Sequence, residues 1–247
     1  MNSGLVVKCM LNSSPALYCC SLHERPPRYE VRHGSLIKVL AGASAFDQNV
    51  KQQYKDNGWL MDDDGEHISP LNSIFGDLTV LYWMWKNLDD PFLGICQYRR
   101  PWIEDDVAKS EDGVLYVPEP ALFGNMRHQY ESSHGQFPAY QISIDLANRK
   151  RIPLTVDMLQ HSWNQGVFHG CNMARGPKWL FDLYCELVFE TMMPFYEENK
   201  NLCESLNGYQ RRSIAFTAER MITALLIYRN HFFGEGKVKD ARIGFTG

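Results

Sequence analysis

Short apolar runs rich in β-forming residues recur along the chain at LVVKCML (5–11), ALYCC (16–20), LIKVL (36–40), FLGICQY (92–98), VLYV (114–117) and VFHGCNMA (167–174). Longer segments of helical period separate them. This interleaving predicts an α/β fold, a mostly parallel central sheet flanked by helices. Three helices are well marked. The first follows Asn72 and Ser73, either of which can cap it, and carries Ile74, Leu78, Leu81, Tyr82 and Trp85 on one side over 74–88, until Asp89, Asp90 and Pro91 stop it. Asp77 falls in its first turn, where the helix dipole favours an anion. The second starts at Gly176 and Pro177, where a missing N–H costs nothing, and buries Leu180, Leu183, Tyr184, Leu187 and Val188; its tail PFYEENKN is expected to fray. The third runs from about Tyr209 to Arg229, with an apolar stripe of Ile214, Ala218, Met221, Ile222, Leu225 and Leu226. Glu219 lies on the flank of that stripe, roughly 90° from its centre. The stretches 47–70 and 101–113, rich in Asp, Glu, Gly and Asn, read as loops.

A chain of 247 residues with 45% hydrophobic content can bury the core of one large α/β domain. It has no apolar run of about 18 residues, so no span of a bilayer is expected. The N-terminal stretch lacks the features of a signal peptide and reads as a short strand or added arm over 1–15. Seven scattered cysteines without a CxxC spacing favour a reducing cytoplasm and argue against structural zinc. A net charge of −4 is unlike that of a dedicated nucleic-acid binder. It leaves three local basic clusters, Arg149-Lys150-Arg151, Arg211-Arg212 and Lys237/Lys239/Arg242, which read first as solvated faces.

Arg99 and Arg100 close the apolar run 92–98, and Pro101 marks its end. Neighbours on a strand point to opposite faces, so both can serve one site only if the chain turns there. Ligands of open α/β sheets bind beyond the carboxyl ends of strands, and arginine suits a phosphate by its planar fork and permanent charge. Pairing with Asp89, Asp90, Glu104, Asp105 or Asp106 is the competing reading. Asp62 and Asp64 have the DxD spacing that can chelate Mn²⁺ or Mg²⁺, although acidic, glycine-containing stretches are more often turns. Glu219 suits a general base if partly desolvated; otherwise it pairs with Arg212, which shares its azimuth two turns earlier. His128 and His134, six residues apart, do not have a helical metal spacing.

Taken together, DDDGEHISPLNSIFGDLTVLYWMWKN, LGICQYRRPW, HGCNM and YQRRSIAFTAERM resemble, in order, the motifs of a bacterial and phage domain family labelled as of unknown function, found among capsular and exopolysaccharide glycosyltransferases. ALYCCSLHERPP and IKVLAGAS resemble its usual start. The likeness covers about 16–230 and departs at His67, Asp77, Gln97 and Met221, where the family often has Asn, Glu, His and Leu. It implies a GT-A-like domain over 16–230, with a C-terminal tail over 231–247. The implied reaction moves a sugar from a nucleotide-diphosphate donor, a UDP-sugar by expectation, to a hydroxyl of a glycan or lipid-linked acceptor, or of a hydroxymethylated base in phage DNA. A non-catalytic nucleotide-sugar-binding module is the rival of another class. The resemblance implies Glu219 as base with Asp77 as a second catalytic carboxylate. It implies His23, Gly42, Ala43, Asp64, Asn72, Gln97, Tyr98, Arg99, Arg100 and Arg220 around the donor, and His134, His169 and Asn172 around the acceptor. The arginines would replace a divalent metal in part or wholly.

Overall fold

The protein is described by a computed structural model covering residues 16–30, 35–103, 111 and 113–246. The expected strand at 5–11, the arm 1–15 and the acids Glu104, Asp105 and Asp106 lie outside the described residues. Seven strands form one sheet: β1 (Leu17–Ser21), β2 (Leu36–Leu40), β3 (Leu60–Met61), β4 (Phe92–Gln97), β5 (Leu115–Pro118), β8 (Arg175–Pro177) and β9 (Val238–Ala241), in the order β3-β2-β1-β4-β8-β5-β9. Pairing is parallel throughout except at β8, which runs antiparallel to both β4 and β5. A two-stranded ribbon, β6 (Ala121–Leu122) with β7 (Val167–Phe168), stands beside it.

The chain leaves β1 toward β2 and β3 and returns on the other side of β1 as β4, so a topological switch point lies between β1 and β4. Crevices at such points open beyond the carboxyl ends of the strands. The main helices covering the sheet are α3 (Leu78–Asn87), α7 (Lys178–Glu198) and α9 (Ser213–Ile227), whose buried faces join the strands in the main core.

Several elements differ from the sequence expectation. The helix expected over 74–88 is two, α2 (Asn72–Phe75) and α3, broken at Gly76, whose φ of 56 and ψ of −131 are reserved for glycine. The stretch 47–70 is not all loop: α1 (Gln48–Asp56) forms there without a fully buried residue, its first turn closed by Asp47 accepting from the Val50 N–H. α7 does not fray at Pro194 but continues to Glu198, because Phe195 and Tyr196 are buried. The apolar run 167–174 divides into β7 and a turn because Cys171 and Asn172 take positive φ values of 80 and 47. The stretch 231–247 is not a tail outside the domain. The end of α10 (Arg229–Phe233) lies in it, and β9 pairs with β5 over four residue pairs. The remaining helices are α4 (Met126–His134), α5 (Ala139–Asn148), α6 (Val156–Trp163) and α8 (Lys200–Ser205).

Candidate active site

A cavity of about 420 Å³ opens at the switch point. Cys20 and Leu22 come from the end of β1 and Gln97 to Arg100 from the end of β4. The break between α2 and α3 gives Gly76 and Asp77, and a 3-10 turn before α9 gives Arg211 and Arg212. Both arginines of the Arg99-Arg100 pair line it because the chain does turn: the Arg100 N–H donates to the Gln97 carbonyl at 2.9 Å. Among the described residues neither pairs with a carboxylate. Asp90, one expected partner, accepts instead from the Tyr18 hydroxyl at 2.6 Å.

On the cavity floor Asp77 accepts from Gln97 Nε2 at 2.5 Å and from Asn172 Nδ2 at 3.1 Å. Burial pushes its carboxyl up to about 6, against the pull of the Arg212 guanidinium and of the Asn172 hydrogen bond; the charge of Glu219 adds to the rise, and the Gln97 hydrogen bond opposes it. Gly76 makes this arrangement possible: a Cβ there would lie 2.8 Å from Arg212 Nη2. The turn 170–172 ties the carboxylates together. Gln97 Nε2 also donates to the Cys171 carbonyl at 2.7 Å, and the Cys171 N–H donates to Glu219 Oε1 at 2.9 Å.

Glu219 pairs with Arg220 at 3.0 Å and not with Arg212, the partner its helical azimuth suggested. Arg220 is buried at 1% exposure, donates to the Phe216 carbonyl and to Gln129 Oε1, and lies against the rings of Phe168 and Tyr130. It therefore serves as the counter-cation beneath Glu219 and does not line the main cavity. Arg211 and Arg212, read from the sequence as a solvated cluster, are the site residues that reading missed. Nothing in the local pattern signals that the 3-10 turn carries them back over Gly76.

The other expected residues divide. Asn72 borders the main cavity and an adjoining one of about 410 Å³, which His23 and Gly42 also line. His23 is exposed and shares a 3.0 Å hydrogen bond with the Tyr54 hydroxyl. The Gly42 and Ala43 N–H groups are engaged, donating to Asp62 at 2.8 and 2.9 Å. Gly42 is required because a Cβ would meet Asn72 at 2.9 Å. Asp62 is fully buried and also accepts from Ser69 Oγ and Thr79 Oγ1, while Asp64 turns to solvent and pairs with Lys55. These two acids do not converge as a chelating pair, and Asp64 does not line the main cavity. Among the described residues no group of three or more His, Cys, Asp and Glu is placed to hold a metal ion.

His134 lines none of the three cavities at or beside the site. It is buried, stacked on Phe216 with ring centroids 4.0 Å apart, and pushed down to about 4 by burial and by Arg220. His169 is buried too, with Nδ1 at 2.9 Å from the Pro118 carbonyl and its N–H on Thr223 Oγ1. It anchors the 170–172 turn, and burial lowers its pKa. Asn172 is buried and donates to Asp77. A third cavity, of about 720 Å³, does adjoin the site: Arg100 lines both it and the main cavity, and Cys171, Glu119, Phe123 and Phe168 complete much of its wall.

Residues 33–120 and 103–231 match the family described as Domain of unknown function (DUF4422). The chain belongs to this family. The fold of this DUF4422 chain is similar to that of a solved structure titled as the WbbM bifunctional glycosyltransferase in its apo form, with a TM-score of 0.68 and 20% identity. The similarity covers 95% of this chain and 46% of that one, so the chain spans a little under half of that protein. The α/β fold is thus of a kind seen in a glycosyltransferase. A comparison with curated proteins gave no match. No helix among the described residues is long and apolar enough to cross a membrane.

Proposed function

We propose that the protein transfers a sugar from a nucleotide-diphosphate donor to a hydroxyl group, with the diphosphate held in the arginine-lined cavity and the acceptor entering from the cavity across Arg100. The observation that carries this reading is a single cavity at the sheet's switch point that joins Arg99, Arg100, Arg211 and Arg212 to a carboxyl raised to about 6. Arginines left without carboxylate partners among the described residues keep their charge for a ligand. A unit charge about 4 Å from a phosphate oxygen is worth roughly 4 kcal/mol at an effective dielectric near 20.

In this reaction the acceptor oxygen bonds to the anomeric carbon as the bond from that carbon to the diphosphate breaks. The electron pair stays on the diphosphate oxygen, where Arg99 and Arg100 meet the growing charge. The acceptor proton passes to Asp77, whose raised pKa suits a base near neutrality. Glu219, engaged by the Cys171 N–H and by Arg220, holds the turn that positions Asp77. Among the described residues Asp62 and Asp64 do not converge on a common point, and in this reading guanidinium groups supply the positive charge of the site.

A glycan acceptor is supported by the third cavity, where the Phe123 and Phe168 rings stand 5.6 Å apart beside Glu119 and offer an apolar face and a hydrogen-bond acceptor to a sugar. The basic clusters that a DNA acceptor would use are largely engaged: Arg149 and Arg151 bind Glu198, and Lys239 binds Glu111. The test follows release of nucleotide diphosphate from UDP-sugars, with and without Mn²⁺, beside stabilisation by UDP in a thermal melt. Arg99→Met combined with Arg100→Met should abolish the UDP-dependent rise in melting temperature, and Asp77→Asn should abolish release while retaining that rise. Undiminished UDP binding in the double variant puts the phosphates elsewhere. UDP binding without release under any of these conditions favours the non-catalytic module.

A further inference from the structure

Residues 238–246 lie beyond the stretch that matches the family, yet they reach the site. After β9 the chain runs antiparallel to 99–103. The Ile103 N–H donates to the Arg242 carbonyl at 2.9 Å, Gly244 N–H to Pro101 O at 2.8 Å, and Thr246 N–H to Arg99 O at 3.0 Å. Trp102 and Ile243 form a bridge pair within this stretch. The pairing fixes the register and puts Phe245 beside both cavity arginines. Its ring centroid is 5.8 Å from Arg99 Cζ and 4.9 Å from Arg100 Cζ.

We infer that Phe245 is a positioning residue for the diphosphate site, holding the guanidinium groups of Arg99 and Arg100 in place without neutralising them. The inference rests on the donor reading above for its functional consequence. Two adjacent guanidinium groups repel each other, and a carboxylate between them would order them only by cancelling the charge that a phosphate needs. The negative face of an aromatic ring attracts a guanidinium and carries no net charge, so it orders both and leaves both available. Arg99 is held on a second side by the Tyr98 ring, 5.0 Å away, and Arg100 directs Nη1 to Cys171 Sγ at 3.5 Å. Each guanidinium thus has two weak, uncharged contacts. Phe245 itself is 61% exposed, so its ring is not there to fill a core, and its replacement should leave the fold intact.

The experiment uses the full chain and UDP as the probe. Calorimetric titration is run on wild type, Phe245→Leu, Phe245→Tyr and the Arg99→Met/Arg100→Met double variant, and the arginine Nε–H signals are recorded by NMR. Phe245→Leu, which keeps apolar bulk and loses the ring, should weaken UDP binding by about three- to tenfold. It should also move the Arg99 and Arg100 Nε–H signals out of their ring-shifted positions. Phe245→Tyr should restore both. If UDP binds wild type and Phe245→Leu equally, with unchanged signals, the inference is overturned and the donor reading stands. If wild type does not bind UDP, or the double arginine variant binds it as well, the donor reading fails. The positioning role is then decided by the NMR signals alone, and unshifted signals in Phe245→Leu overturn it.

Discussion

Replacing Asp77 by Asn tests the electrostatics of the cavity floor without any knowledge of the substrate. The carboxyl rises from 3.8 to about 6 because it is enclosed by protein, and the Arg212 charge and the Asn172 and Gln97 hydrogen bonds recover only part of the desolvation cost. A pKa raised in the folded state gives stability that is fully present below the unfolded value of 3.8 and is lost as the pH rises through about 6. At about 1.4 kcal/mol per tenfold change in proton affinity, the loss approaches about 3 kcal/mol above pH 7. Asp77 keeps some contact with cavity solvent, which reduces the figure to about 2 kcal/mol. An asparagine cannot ionise, so its variant does not suffer this loss. It also presents one acceptor oxygen to the two donors on Gln97 and Asn172, an offset that does not depend on pH. The quantity to measure is therefore the change with pH in the difference between the two proteins. Chemical denaturation of both from pH 4 to pH 8 should show Asp77→Asn gaining about 1–2 kcal/mol relative to wild type across that range. Wild-type turnover should rise through about pH 6 as Asp77 loses its proton. Parallel stability curves, or a difference that grows toward low pH, would refute a raised carboxyl at this position.

Three other substitutions probe the scaffold. Asp62→Asn leaves one acceptor oxygen for the Gly42, Ala43, Ser69 and Thr79 donors and should cost about 2–4 kcal/mol in denaturant titration; a cost below about 1 kcal/mol would mean that those donors find other partners. Glu219→Gln strips the buried Arg220 of its carboxylate and should cost about 2–3 kcal/mol with UDP binding retained, whereas an unchanged denaturation midpoint would show that Arg220 is compensated elsewhere. Gly76→Ala must accept a positive φ and displace Arg212, so it should lose about 1–3 kcal/mol and bind UDP more weakly; unaltered UDP affinity would detach Arg212 from the ligand.

The strands that build the sheet's centre were legible because their patterns are local. LIKVL is β2 residue for residue, and FLGICQY ends one residue from β4. Asp77 was legible as a carboxylate at a helix start for the same reason. α1 was not, because QNVKQQYKD offers only Val50 and Tyr54 as an apolar face, too few to show a period, and the helix is also held by the Asp47 cap and by an ion pair of Lys51 with Asp63. The short β3 and β9 owe their extended form to the neighbours β2 and β5, and a run of two to four residues carries no period. The DxD spacing left chelation and an acidic turn both open, and Asp62 and Asp64 take different partners. A buried carboxylate that gathers backbone and hydroxyl donors has the same sequence signature as a metal ligand, and only burial separates the two.

The exchange of partners around Glu219 shows why the site was harder to read than the sheet. On one continuous helix Arg212 and Glu219 would share an azimuth two turns apart, which is what suggested pairing them. The first of them lies in a 3-10 turn, where the rotation per residue is larger and the axis changes, so the shared azimuth is lost before the helix begins. Arg212 is carried to the backbone of Gly76, and Glu219 takes the neighbouring Arg220, already buried between Tyr130 and Phe168. This exchange leaves one guanidinium for the cavity. The Arg212 charge is the largest influence that holds the Asp77 carboxyl down against its burial, and pairing with Glu219 would have weakened it. The role proposed for Asp77 thus rests on a turn geometry that neither helical periodicity nor residue spacing encodes.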